Sequence, residues 1–433
     1  MEELYWLWLS LAVSPGSHSF KKLLNKFKTV EEIYKASDKM INSAIDPKSS
    51  DRAALIDKSL EKATEVRNFC KKMNIGIVTY ADKLYPDSLR AISNPPVLLY
   101  YRGEFPNFND YVAVSIVGTR YPTSYGRKNA YELSYDLAKA GALIVSGMAI
   151  GVDGVAHASA IAAEMPTVAV LGSGINVCYP EIHLSLARKI VKCGCVITEY
   201  PPNTPPIGNH FPRRNRIIAG LSQATVLIEG AEKSGALITA RIAEENGRKV
   251  YAVPGNVNNK MSAAANLLIK SGATAITSAE DVIRDFEKQG RVLLNRFNLS
   301  NTRPNIHSVL KGASVSAVTP DDDIFTPSRK RITTKEQRVT EVDKRELPKT
   351  IASKEIKNKN ETQEKEDSPS LAAFDAVALK VYKRIPEGVE CSYDSLTGDG
   401  VTISDVATAV LKLQIMGFVT VYPGDFVSRK FKG

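Results

Sequence analysis

Residues 210–240, HFPRRNRIIAGLSQATVLIEGAEKSGALITA, gather the side chains of this 433-residue chain best suited to holding an anion. Phe211 and three arginines, Arg213, Arg214 and Arg216, open an apolar helix pattern carried by Ile217, Ile218 and Leu221. A strand over residues 224–228 follows, and a loop of Lys233, Ser234 and Gly235 starts the next helix. Helix N-termini present unpaired N–H groups and a partial positive charge, so loops that enter helices at the carboxyl edge of a parallel sheet suit phosphate. Arginines and an aromatic ring at such an edge add charge-assisted hydrogen bonds and a surface on which a base can stack. The expected ligand is a nucleic-acid strand.

Other loops extend the same edge. Residues 118–126, GTRYPTSYG, supply Gly118 for close backbone approach, hydroxyls at Thr119, Thr123 and Ser124, and fixed charge at Arg120. Ser146 and Gly147 begin a second glycine-containing loop, in which Asp153 is placed as a helix N-cap and His157 as a packing residue. Gly172, Ser173, Gly174, Tyr179 and Pro180 continue the rim, and Tyr121 is a second candidate for base stacking. Neither the GxGxxG fingerprint with its acidic partner nor GxxxxGK[ST] occurs, so no nucleotide cofactor is expected. Cys193 and Cys195 lack a matching Cys/His pair, so no metal is expected either.

A rival reading is enzymatic. Glu199 and Glu229 close strands expected to be adjacent and could form a carboxylate pair for glycosidic-bond chemistry, as in a phosphoribohydrolase-like nucleotide-processing enzyme. The alternative is that they fix loops and pair with the arginines, of which Arg216, with Asn215 at the helix start, is best placed to serve as a structural clamp pinning neighbouring loops. Since no acid, base and nucleophile trio is evident, the favoured reading is a binding protein without catalytic residues.

The elements that must position these loops are legible as periodicity. The runs VAVSIV, ALIVSG, TVAVLG, CVITEY, ATVLIEG, KVYAVPG and ATAIT alternate with helical patterns, which predicts an α/β, Rossmann-like, doubly wound parallel sheet over residues 73–297. Residues 1–72 predict a small helical domain of the SAM or helix-hairpin-helix kind, or simply a packing cap. Residues 298–370 hold few large apolar side chains and predict a disordered linker. Residues 371–433 predict three helices and a wing turning at Pro423 and Gly424, a winged-helix domain. Its presumed recognition helix offers Asp405, Thr408, Lys412 and Gln414, a poor phosphate-hugging face, which suggests an accessory or protein-contacting role.

A formal net charge of +10 favours anionic partners. The five cysteines are odd in number and scattered, the usage of reduced cytosolic thiols. The apolar run 4–13 follows two glutamates and is far short of the roughly 20 residues that span a bilayer, so a cytoplasmic protein with no membrane insertion is expected.

Taken in order, GTRYPTSYG, SGMAIGVDGVAHASAI, TVAVLGSGINVCYP, the long segment from ITEYPPN through KSGALITA, and GRKVYAVPG resemble the DNA-processing protein A family, also called Smf. The resemblance implies a non-enzymatic protein of natural transformation that binds and protects incoming single-stranded DNA and helps load the RecA recombinase. It also implies a homodimer formed through the end of the Rossmann-like domain, around Leu268 and Ile269. Carried over by motif, the strand would be held by Arg120, Phe211, Arg213 and Arg214, assisted by Lys233 and the Gly/Ser loops. Two departures stand out: Gly208 where many relatives carry lysine, and Ser262 to Ala265 in place of a glycine-containing turn.

Overall fold

The structure, a computed structural model, describes residues 1–287, 294, 303–306, 308–310, 325–327, 376–385, 391–398, 400–415, 418–422 and 426–429. The chain forms two compact units, Met1–Arg329 and Lys330–Gly433. The first begins with helices α1 (Glu2–Ala12), α2 (Ser19–Lys26), α3 (Val30–Lys35), α4 (Asp38–Ala44), α5 (Asp51–Ile56) and α6 (Glu61–Lys72). Their apolar faces do not close on themselves. Trp6, Leu9, Phe20 and Leu23 belong to one buried cluster with Tyr100, Ala169, Leu171 and Val196 of the sheet, so helices and sheet share a core. Lys21 Nζ and Asn94 Nδ2 bond across this boundary, to Ile92 O and Gly16 O at 3.0 and 3.1 Å.

The sheet follows: β1 (Gly76–Thr79), α7 (Asp87–Arg90), β2 (Leu98–Gly103), β3 (Ala113–Val117), α8 (Ser124–Lys139), β4 (Leu143–Ser146), α9 (Val152–Ala162), β5 (Thr167–Val170), β6 (Val177–Cys178), α10 (Leu184–Cys193) and β7 (Cys195–Thr198). Then come α11 (His210–Leu221), β8 (Ala224–Leu227), α12 (Gly235–Glu245), β9 (Lys249–Ala252), α13 (Ala263–Lys270), β10 (Thr274–Ala275) and α14 (Ala279–Glu287). Nine strands pair in the order β1-β2-β7-β5-β4-β3-β8-β9-β10. The seven predicted strands form the parallel part; its inner strands are buried on both faces by crossover helices, while the edge strand β10 is exposed. The two short leading strands join them, β1 on β2 and β2 on β7, both antiparallel.

The linker expected over 298–370 lies largely outside the described residues, but its described beginning is corrected: parts of it pack on the first unit. Arg303 donates to both oxygens of Asp136 at 2.8 and 2.6 Å. Phe325 is buried in the core shared by helices and sheet, and β11 (Thr326–Pro327) pairs in parallel with β6. A few well-spaced apolar residues suffice to anchor a segment whose average composition is that of a linker.

The second unit, taken alone, contains α15 (Ala376–Arg384), β12 (Cys391–Ser392), a 3-10 turn at Tyr393–Leu396, α16 (Ile403–Ile415), β13 (Val419–Tyr422) and β14 (Phe426–Arg429). Its strands pair in the order β12-β14-β13 around a core of Ala378, Val381, Val406, Val410, Leu413 and Val427. The expected turn at Pro423 and Gly424 lies outside the described residues.

Candidate nucleic-acid interface

Loops leaving the parallel strands gather at one edge of the sheet, and α11 begins there. Phe211 and Arg214 stand one turn apart on α11 and share a face. The ring of Phe211 sits over Gly172, where an added Cβ would come within 2.9 Å of its Cδ1. The guanidinium carbons of Arg120 and Arg214 lie 5.9 and 6.0 Å from the ring centroid, so two loops and a helix converge on one aromatic side chain. Tyr179 lies beside it, ring centroids 5.4 Å apart and planes inclined by 38°. His210 stacks on Tyr200 at 4.1 Å and faces Gly172 O with Nδ1 at 3.2 Å, which fixes the start of the helix.

The predicted cations divide into two groups. Arg120, Arg213 and Lys233 are exposed. Arg214 and Arg216 are buried: the expected position of Arg214 facing a strand is corrected, while Arg216 takes the clamp role that was its alternative. Arg214 donates through Nη1 to Gly147 O at 2.5 Å and to Val170 O, and lies near the carboxylate of Asp153. Burial lowers its pKa to about 10 against the opposing pull of Asp153. Arg216 forms an ion pair with Glu199, both side chains only 6% exposed. Burial raises the Glu199 carboxyl, outweighing the arginine beside it. Both arginines therefore pin the chain after β4, β5 and β7 to α11.

Ser146 and Gly147 are turned inward too. Ser146 is buried and donates to Ile116 O at 2.7 Å, while the amide of Gly147 donates to Asp153 Oδ2 at 3.1 Å and its carbonyl accepts from Arg214. Asp153 also accepts from Ala149 N at 3.3 Å, so it holds the whole loop, in which Met148 and Gly151 take positive φ. Gly118 meets Val152, and a Cβ there would collide with that side chain. Ser234 caps α12, its Oγ accepting from Leu237 N at 3.4 Å, and Gly235 O accepts from Asn215 at 3.4 Å, so the Lys233 loop is tied to α11. Leu268 is 2% exposed and packs in the core, so its expected place on a dimer surface is corrected; Ile269 is half-buried.

The carboxylate pair is corrected as well. Glu199 follows β7 and Glu229 follows β8, strands consecutive in the chain but separated by β5, β4 and β3 in the sheet. Four steps at about 4.8 Å put them roughly 19 Å apart, beyond the spacing of about 5–9.5 Å used for glycosidic-bond chemistry. Glu229 accepts instead from Thr123 N and Thr123 Oγ1, at 2.9 and 2.7 Å, and clamps the Arg120 loop. Both glutamates thus take the alternative role read from the sequence, Glu199 pairing with Arg216 and Glu229 fixing a loop through Thr123. Among the described residues no group of three or more His, Cys, Asp or Glu is placed to hold a metal, and no helix is long and apolar enough to cross a membrane.

The model of the family described as DNA recombination-mediator protein A matches residues 76–287. The DNA processing protein DprA of Bacillus subtilis is 38% identical over 234 residues, covering 54% of this chain and 79% of that one. The protein of the same name from Streptococcus pneumoniae is 38% identical over 206 residues, 48% of this chain and 72% of that one. The X-ray structure of the Streptococcus pneumoniae protein superposes with a TM-score of 0.56 at 31% identity, covering 66% of this chain and 97% of that chain. On the sheet, the rim and these relatives together, the chain belongs to the DNA recombination-mediator protein A family.

Proposed function

We propose that the protein binds single-stranded DNA along the carboxyl edge of the sheet, shields it without cutting it, and delivers it to a RecA-type recombinase during DNA uptake, acting as a cytoplasmic homodimer. One set of observations carries the reading: Arg120 and Lys233 are exposed on the loops after β3 and β8, Arg213 is exposed on the first turn of α11, and the Phe211 ring on that helix is flanked by two guanidinium groups. Cations set apart in this way suit successive phosphates, and an aromatic face is indifferent to base identity. Relatives named DNA processing proteins agree with a nucleic-acid ligand. The second unit is assigned an accessory, protein-contacting role; on its helix α16, Thr408, Lys412 and Gln414 are exposed and Asp405 is half-buried.

The test is a titration of single-stranded against duplex DNA over a range of salt. Binding should favour the single strand, and the double substitution Arg120→Ala with Lys233→Ala should flatten the salt slope by about 1.4, roughly 0.7 for each phosphate released. An unchanged slope sinks the assignment of these residues. Loading is tested separately, by following recombinase filament growth on strand already coated with a single-strand binding protein.

A further inference from the structure

The segment that docks on β6 carries more than an anchor needs. Phe325 is 1% exposed and belongs to the buried cluster that contains Cys178 of β6 and Leu186, Ala187 and Ile190 of α10. Thr326 and Pro327 pair in parallel with Val177 and Cys178, so the contact consists of one aromatic plug and two residues added to a strand edge. In the sequence the plug is preceded by Asp321, Asp322, Asp323 and Ile324. Helix α10 answers this charge: Arg188, Lys189 and Lys192 recur on it at the spacing of one helix face, and Arg188 is only 8% exposed. Burial, then Glu181, raises the Cys178 thiol to about 12, and the nearby Arg188 guanidinium opposes the rise, which brings that cation to the strand on which Pro327 pairs. An apolar hole, a strand edge and a row of cations thus meet at β6 and α10.

A tethered segment meets its hole at an effective concentration on the order of millimolar and needs no electrostatic guidance. Steering and selection by charge serve a partner that arrives by diffusion. We propose that β6 and α10 form a docking groove for an acidic peptide of a partner protein, a run of aspartates followed by a bulky aromatic side chain, and that residues 325–327 of this chain occupy it as an internal stand-in. The mode is strand addition: main-chain bonds to β6 hold the peptide, the hole takes its ring, and the cations of α10 take its carboxylates. Strand β6 leads directly into Tyr179, whose ring lies against Phe211, so a docked partner stands beside the rim. The groove does not depend on what the rim binds.

The experiment titrates the full chain with a fluorescently labelled synthetic peptide, PDDDIFTP, the sequence of residues 320–327. In wild type the groove is filled, so Phe325→Ala should bind the peptide about 10-fold more tightly, the factor expected where the groove stands open one-tenth of the time. The triple substitution Asp321→Asn, Asp322→Asn and Asp323→Asn, which keeps the ring, should shift affinity in the same direction by a smaller factor. On the Phe325→Ala chain, a peptide with alanine for its phenylalanine and a peptide with asparagines for its aspartates should each bind about 10-fold more weakly. Adding Lys189→Glu and Lys192→Glu should weaken the aspartate peptide and leave the asparagine peptide unchanged, whereas a damaged groove loses both. Thermal melts establish that each variant is folded. Failure of folded Phe325→Ala to bind the peptide, or equal binding of the aspartate and asparagine peptides, overturns the groove. Equal affinity in wild type, Phe325→Ala and the triple variant overturns the stand-in.

Discussion

Arg214 fills the space that a side chain at residue 147 would need: a Cβ on Gly147 would fall inside contact distance of its guanidinium. The same guanidinium accounts for the carbonyls of Gly147 and Val170, which end neighbouring strands β4 and β5. One side chain from α11 thus joins two loop bases, and the glycine is its counterpart.

Gly147→Ala should therefore act at a distance. Pushing Arg214 aside is expected to cost about 1–3 kcal/mol of stability, as overpacking does, and to weaken strand binding by disturbing Phe211. Chemical denaturation and a binding titration on the same sample check both. Wild-type stability in this variant would mean that the contact is slack.

The neighbouring arginines should behave differently although they adjoin in sequence. Arg213→Ala, at an exposed position, should leave stability within about 0.5 kcal/mol and flatten the salt slope by roughly 0.7. Arg214→Ala should destabilise by about 3 kcal/mol, since it leaves two buried carbonyls unpaired and Asp153 uncompensated. Similar melting temperatures for the two variants would contradict their assigned environments.

Glu229→Gln tests a positioning role against a catalytic one. The loss of charge-assisted bonds to Thr123 should cost about 1.5–3 kcal/mol and loosen the Arg120 loop, seen as faster amide exchange over residues 118–123. Thr123→Ala should reproduce the effect. Release of a free base from nucleoside monophosphates by the wild type, lost in Glu229→Gln, would instead support the nucleotide-processing alternative.

Acid should weaken the fold through His157. Nδ1 lies 2.8 Å from Thr167 Oγ1, and Nε2 has no hydrogen-bond partner among the described residues. Burial first, then the nearby His183 and Arg214, lowers its pKa to about 3 from an ordinary 6.5. A depressed folded-state pKa means that its contribution is whole above about 6.5 and lost as pH falls towards 3, at up to about 1.4 kcal/mol per pH unit. Asp153, raised by burial, works the opposite way across the carboxylate range. Unfolding curves at several pH values between 7 and 4 should show a shallower slope, by about one proton, in His157→Gln; identical slopes would remove His157 as the cause.

The parallel strands were legible because each is an apolar run bounded by a helical pattern, and residues 113–117 or 224–227 admit no other element easily. The rim was legible because loops after such strands must share an edge. What could not be read was direction. Arg214 and Arg213 differ by one position, and only the location of Gly147, 67 residues away, decides which of them is buried. Glu199 and Glu229 close strands that are consecutive in the chain, but spatial order is set by crossovers that leave no local mark, so consecutive strands need not be neighbours. Phe325 escaped notice because composition averages over a window, while docking needs one ring in one hole.

The antiparallel strand β2 covers the outer side of β7 along its whole length, from Tyr100 on Thr198 to Gly103 on Cys195. A fragment cut to begin near Tyr111 would bare a row of backbone donors and acceptors on a fully buried strand. Such a fragment invites filament growth or swapped dimers through edge pairing. The shortest well-behaved piece of this molecule therefore has to start upstream of residue 98, and an oligomer found in a shorter one reports the missing strand, not the native assembly.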